Sequence, residues 1–327
     1  MKPVSNIVVF APIACVVCLL TSTIAFAHED DAHCEAVTAS VEDAGFSDQV
    51  TVDCSDGQAI ITSDSYPDHT LMNGIVGTNE QLPVPADYAA PIPLQPVLGD
   101  TPLTRDAALA VAVNGVPIFD YTGGGEMSQD DLYHHQTQHD TLLTQQLDVC
   151  GGHAGRGDDY HYHVTPVCMV AQMANAGPDA IIGWAFDGFP IYGNMNPDGS
   201  AIAAGTLDVC HGQADEVFGY RYHTSAEAPY IVQCLMGAVV NQRDLPRVAP
   251  LSPAGGGPGL DPGVPPRGGV DDLVFTHDAD GHRSMDYSYE GQRYYMRYAP
   301  SGTSGCYAFE TKTVTNDGVV QSGEFCR

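Results

Sequence analysis

The feature that most limits what this chain can fold into is a segment that returns at one fixed spacing. Leu147-Asp148-Val149-Cys150 recurs sixty positions later as Leu207-Asp208-Val209-Cys210, and Tyr160-His161-Tyr162-His163 recurs at the same spacing as Tyr220-Arg221-Tyr222-His223. Each copy then runs to a further cysteine, Cys168 and Cys234. Identity at seven of eight positions without a gap marks an internal duplication, and duplicated supersecondary units commonly pack about a pseudo-twofold axis. Between the motifs lies Gly183-Trp184-Ala185-Phe186-Asp187-Gly188-Phe189-Pro190-Ile191-Tyr192-Gly193, which reads as an aromatic strand, an Asp-Gly turn and a second strand. It carries the single Trp of the chain, expected in the core beneath the two copies.

Tyr-His-Tyr-His alternates with the period of a strand. His161 and His163 therefore share one face, with Cβ atoms roughly 7 Å apart, and Tyr160 and Tyr162 pack the other. The second copy presents Arg221 and His223 in their place. If the copies face one another, His161, His163 and His223 converge, with His153 near them and Arg221 at the rim. Neutral imidazoles in that number suit zinc, copper or iron.

The chain begins as an exported protein would. Lys2 precedes an apolar run from Ile7 to Leu20, and Ala25-Phe26-Ala27 is a cleavage site, so residues 1–27 read as a signal peptide. No later segment is apolar enough to span a bilayer. Twelve Lys and Arg against 41 Asp and Glu give a net charge of −29, which repels nucleic acid and anionic lipid. Of ten cysteines, eight remain after the signal, in close pairs: Cys34/Cys54, Cys150/Cys168, Cys210/Cys234 and Cys306/Cys326. An even number in an exported chain argues for disulfides, and local pairing is the simplest pattern. Zinc or iron–sulfur ligation competes, but no Cys-x-x-Cys spacing remains once the signal is removed. The expected location is secreted or periplasmic.

Around the repeat, residues 28–58 form an N-terminal disulfide-bonded segment, and short strand-like runs fall at Gln49–Val52 within it and Ala59–Thr62 just after it. Residues 67–105, rich in Pro, read as an extended wrap. Leu109–Val113, Asn114-Gly115 and Val116–Tyr121 predict a hairpin. Asp130–Leu147 can form a helix, on which His135 and His139 would share a face. The repeat domain is bounded at 59–240, a Pro/Gly-rich linker follows at 241–272, and 273–327 reads as a small β-meander. The fold class is mainly β with short helices, a β-rich α+β arrangement.

These elements together resemble the YHYH-domain family of exported proteins. The resemblance rests on Cys150-Gly-Gly-His153, Tyr160 to His163, Cys168, the Gly183 to Gly193 segment and Cys210 to Cys234, with Asn114 to Ile118 and Pro67-Asp68-His69 as less specific matches, and spans roughly residues 59–237. The family name describes a motif and implies domain identity without an activity. The second copy departs from the pattern, because Cys-x-Gly-His becomes Cys210-His211-Gly212-Gln213 and the first motif histidine becomes Arg221. A single asymmetric site fits this better than two equal ones.

The expected metal ligands are His153, His161, His163, His223 and His69. Candidates for catalysis are His161, His163, Arg221 and Asp187; Asp148, Asp208 and Asp187 either orient imidazoles or fix loops and turns. The expected function is transition-metal or small-ligand binding between the two copies, possible metal-dependent catalysis included. Two other functions compete: an adhesion or matrix-interaction module with structural His/Tyr strands, and a metal-free enzyme using His161 or His163 as base with Arg221 holding an anion.

Overall fold

The computed structural model describes residues 23–77, 82–154, 159–239, 242–246, 269–304 and 306–326. Most of the signal segment and most of the Pro/Gly linker therefore lie outside the described residues. The structure is mostly β with two helices, the fold class expected.

Helix α1 spans Thr23–Ala44, across the end of the expected signal segment and into the N-terminal segment for which only short strands were expected. Val37, Val41 and Ala44 recur at helical spacing and are buried. Their stripe is too short, and the flanking sequence too acidic, for the pattern to stand out. Strands β1 (Thr51–Ser55), β2 (Gln58–Ser63) and β3 (Tyr88–Pro93) form an antiparallel sheet, and the Cys34–Cys54 disulfide ties it to α1. Strand β4 (Leu98–Leu103) leaves that sheet for a later partner.

The central sheet holds β5 (Ala110–Ala112), β6 (Pro117–Ile118), β7 (Gly152–Ala154) and β8 (Tyr160–Tyr162). After helix α2 (Val167–Gln172) come β9 (Gly183–Ala185), β10 (Pro190–Tyr192), β11 (Gly212–Asp215) and β12 (Gly219–His223). Their spatial order is β11-β12-β10-β9-β5-β6-β8-β7. This order is palindromic: each half is a tight hairpin, β5–β6 or β9–β10, whose second strand pairs in parallel with the Tyr-rich strand of a second hairpin. The halves meet antiparallel at β5 and β9, with Val111 opposite Trp184.

The duplication is thus larger than the matching motifs. Asn114-Gly115-Val116-Pro117-Ile118-Phe119 is the counterpart of Asp187-Gly188-Phe189-Pro190-Ile191-Tyr192. Gly115 and Gly188 turn the two hairpins at φ of +79° and +91°, where a side chain would be strained. The connection from β6 to β8 is longer than that from β10 to β12, which moves this second set of matches to a different offset.

Trp184 is buried at the seam, and its indole N–H donates to Ser40 Oγ of α1 at 2.9 Å, so the ring's one polar atom is satisfied. Strand β13 (Leu235–Gly237) pairs with β4, closing the Pro-rich wrap over the core. Residues 130–147 do not form the expected helix. They contain one 3-10 turn, Asp131–Tyr133, followed by irregular chain in which Asp140 accepts from the backbone N–H of Leu142 and Leu143. His135 and His139 consequently share no helical face. Local side-chain capping has outcompeted the helix here.

The C-terminal strands β14 (Asp271–His277), β15 (Arg283–Tyr289), β16 (Gln292–Pro300), β17 (Cys306–Lys312) and β18 (Val320–Cys326) form an up-and-down antiparallel meander, as the alternation implied. It docks on the wrap segment through Val270 N–H to Val76 C=O at 2.7 Å and Phe275 N–H to Asn73 Oδ1 at 2.8 Å. All four disulfides follow the local pairing: Cys34–Cys54, Cys150–Cys168, Cys210–Cys234 and Cys306–Cys326. No helix among the described residues is long and apolar enough to cross a membrane.

Candidate metal centre

The β7–β8 hairpin places His153 directly opposite His161, and His163 follows the same strand two residues on. The three imidazole centroids form a triangle 4.9 Å on each side. One ligating nitrogen from each ring lies within 4.8 Å of the others. All three rings are buried.

Each ring is oriented by a carbonyl. His153 Nδ1 is 2.9 Å from Gln146 O, His161 Nδ1 is 3.1 Å from Asp159 O, and His163 Nδ1 bonds Asp120 O. A carbonyl oxygen only accepts, so each Nδ1 must carry the proton. Each Nε2 then presents a lone pair. His153 Nε2 and His163 Nε2 stand 3.2 Å apart with no hydrogen between them in the neutral tautomers. Protonating one ring would relieve this contact, but burial disfavours it. Burial first, then the His161 charge, lowers the His153 pKa to about 3, and the same causes hold His163 well below its ordinary value. Two facing lone pairs in a buried site are a contact that a cation between them makes favourable. Carbonyl-oriented imidazoles with free Nε2 atoms are also the usual arrangement around a bound metal. Phe119 stacks on His161 at 4.1 Å and closes one side.

The tyrosines occupy the opposite face, as the alternation requires. Tyr160 OH donates to the Asp148 carboxylate at 2.8 Å, and the same carboxylate accepts the Cys150 and Gly152 N–H groups. Asp148 is thus a loop clamp beneath the hairpin, and burial raises its pKa to about 6. Gly152 is needed for this approach, because a Cβ there would lie 2.7 Å from the Tyr160 hydroxyl. Tyr162 OH meets Asn114 Nδ2 at 3.0 Å and His69 Nε2 at 2.7 Å. His69 therefore belongs to the tyrosine face and does not join the triad. It also lies near Cys150 and Cys168, but those sulfurs are bonded to each other and offer no thiolate.

The shared site between the copies is not formed. Strands β8 and β12 are five steps apart in the sheet, roughly 24 Å at the usual strand spacing. The expectation failed because the pseudo-twofold runs between β5 and β9 and sends the motif strands outward. His223 lies in the second half, where its Nδ1 donates to Gly193 O at 2.9 Å and its Nε2 stands 3.1 Å from Gln213 Nε2. Arg221 is buried rather than at a rim, and pairs with Asp215 at 2.8 Å. Asp187 lies on the tyrosine face of the second half, where its carboxylate accepts Tyr222 OH and the Gly237 N–H. Burial raises its pKa to about 6, yet no imidazole of the triad contacts it. Asp208 repeats the loop clamp of Asp148, accepting Tyr220 OH at 2.7 Å.

Sequence reasoning missed Phe119, Asp120, Gln146 and Asp159. The last three act through backbone carbonyls, which side-chain patterns do not report. Phe119 was within reach, since aligning its Val-Pro-Ile-Phe with Phe-Pro-Ile-Tyr places it opposite Tyr192, beside the second motif.

The fold and the site define a disulfide-bonded β domain built from two unequal halves, with a buried histidine triad in the first. Residues 89–201 match the family model described as YHYH protein. The match takes in the whole first half and the β9–β10 hairpin, and ends before β11, so it is narrower than the span of the motifs. No curated protein and no solved structure matches the chain.

Proposed function

We propose that this chain is an exported protein that holds one first-row transition-metal ion, zinc or copper before iron, on His153, His161 and His163. The observation that carries this reading is the set of three Nδ1–H···O=C bonds, which leaves each Nε2 lone pair unused in a buried cluster where one nitrogen per ring lies within 4.8 Å of the others and the His153 and His163 Nε2 atoms face each other. Neutral nitrogen ligands favour such ions over calcium or magnesium, which take oxygen. The four disulfides fit an oxidising compartment. Three protein nitrogens leave a coordination position free, the pattern of catalytic rather than structural zinc sites, so hydrolytic or oxidative turnover is the activity to screen. The metal-free scheme with Arg221 as anion holder lacks its geometry, because Arg221 sits in the other half of the sheet.

The test is elemental analysis of untagged protein with its disulfides formed, as isolated and after reconstitution with zinc, copper(II) and iron(II). About one equivalent per chain is expected. Less than a tenth of an equivalent under all conditions overturns the proposal.

A further inference from the structure

The two hairpins can be matched atom by atom. Gly152 opposite Tyr162 and His153 opposite His161 become Gly212 opposite Tyr222 and Gln213 opposite Arg221. His163 Nδ1 on Asp120 O becomes His223 Nδ1 on Gly193 O, and these two carbonyls occupy equivalent positions after β6 and β10. His161 Nδ1 on the carbonyl two residues before it becomes Arg221 Nη1 on Gly219 O, also two residues before, at 3.0 Å. The contact between His153 and His163 Nε2 atoms at 3.2 Å becomes Gln213 Nε2 to His223 Nε2 at 3.1 Å. The scaffold is the same, and only the polarity of the centre differs.

In the second half the Gln213 amide and both terminal nitrogens of Arg221 find partners without a guest, and Arg221 Nε alone of these groups is left without one. The Gln213 amide gives one hydrogen to His223 Nε2 and one to Asn196 Oδ1 at 2.7 Å. Arg221 Nη2 donates to the same Asn196 oxygen at 2.8 Å and to Asp215 Oδ2 at 2.8 Å. Asn196 Oδ1 thus accepts two N–H donors beside Gln213 and Arg221, whereas the equivalent residues of the first half belong to a cluster of ring nitrogens.

We infer that the second half is a latent metal centre, closed by an internal cation, Arg221, and an internal acceptor, Asn196, and that Gln213→His with Arg221→His reopens it. The inference rests on the reading of the first half as a metal site. Its supports are already in place. His223 is oriented by Gly193 O, Gly219 O is free to take a new imidazole at 221, and Thr206 stands at the position equivalent to Gln146.

The experiment uses the full chain carrying His163→Ala, so that the first half cannot contribute. Q213H/R221H is added, and bound zinc and copper(II) are counted after dialysis against one equivalent of each. A gain of about one equivalent, lost again on adding His223→Ala, is the expected result. No gain in a folded, correctly disulfide-bonded variant overturns the inference. If the metal-free variant is unfolded, added zinc must restore its near-ultraviolet dichroism, because binding to such a site is coupled to folding; failure to do so also overturns it. The natural chain serves as a separate arm. If it binds no metal while the redesigned half gains one, the proposed function fails and the latent centre stands. If it binds one and the redesign gains none, the reverse holds.

Discussion

The two halves of the central sheet share a backbone and reach opposite solutions to the same burial problem. Both carry a Cys-loop clamped by an aspartate and a tyrosine, and both turn a Gly-centred hairpin against it. The first half fills its centre with imidazole nitrogens, which under the proposed function accept a cation. The second fills it with donors and supplies the acceptor, Asn196, from its own loop. Buried polar groups are generally satisfied, so under the proposed function the comparison teaches that a ligand site and a structural knot can differ by two residues on one scaffold.

The sharpest break between the halves should be metal content. His163→Ala should abolish metal retention, lowering affinity at least a hundredfold, whereas His223→Ala should leave it within twofold of the natural chain. Equilibrium dialysis with zinc checks both, and equal losses would mean that the halves cooperate.

Acid should act next, and unevenly. His153 is held at a pKa of about 3 in the fold, against 6.5 for an ordinary imidazole, by burial first and the His161 charge second. Between these values His153 binds more protons in the unfolded chain than in the folded one. Its contribution to the stability of the metal-free protein should therefore be full above pH 6.5 and be lost as the pH falls through that window, while Asp148 and Asp187, raised to about 6 by burial, act in the opposite sense below pH 6. Denaturant melts from pH 7 to pH 4 in chelator measure this. His153→Gln, which imports the second-half residue, should flatten the profile; an unchanged slope would assign the acid sensitivity elsewhere.

A third change isolates the knot. Arg221→Met should cost about 0.5–1.5 kcal/mol of stability, because Asn196 Oδ1 and Gly219 O lose donors in a part-buried setting. Its partner Asp215 is 41% exposed and regains water, which keeps the loss at this level. Metal retention should not move. Urea titration and elemental analysis on the same sample separate the two effects. The smallest effect is expected from Phe119→Leu, which removes the ring stacked on His161. Metal affinity should fall two- to tenfold with no change in stoichiometry, and isothermal titration resolves it.

What was legible in the sequence was local. The Tyr-His-Tyr-His alternation put His161 and His163 on one face because strand geometry admits nothing else. The Asn114-Gly115 turn and the four cysteine pairs were equally short-range. The placement of His223 was not legible, because it depends on which strands meet at the seam. That choice is made by Val111 against Trp184, two apolar residues with no pattern to announce their pairing. Helix α1 was missed for a related reason, since Val37, Val41 and Ala44 gain their meaning only from the sheet they cover.

The Cys150–Cys168 bond encloses His153, His161 and His163 within one covalent ring, its two ends at a sequence separation of 18. Coordination chemistry would describe the result as a macrocyclic chelator: donor atoms strung on a closed loop, whose ring closure limits how far they can separate when free of the ion. A linear chain in a reducing cytosol lacks that closure. Under the proposed function, high affinity would arise only once the ring is sealed, so the protein would leave intracellular metal pools untouched during synthesis and become a competent ligand after reaching an oxidising space.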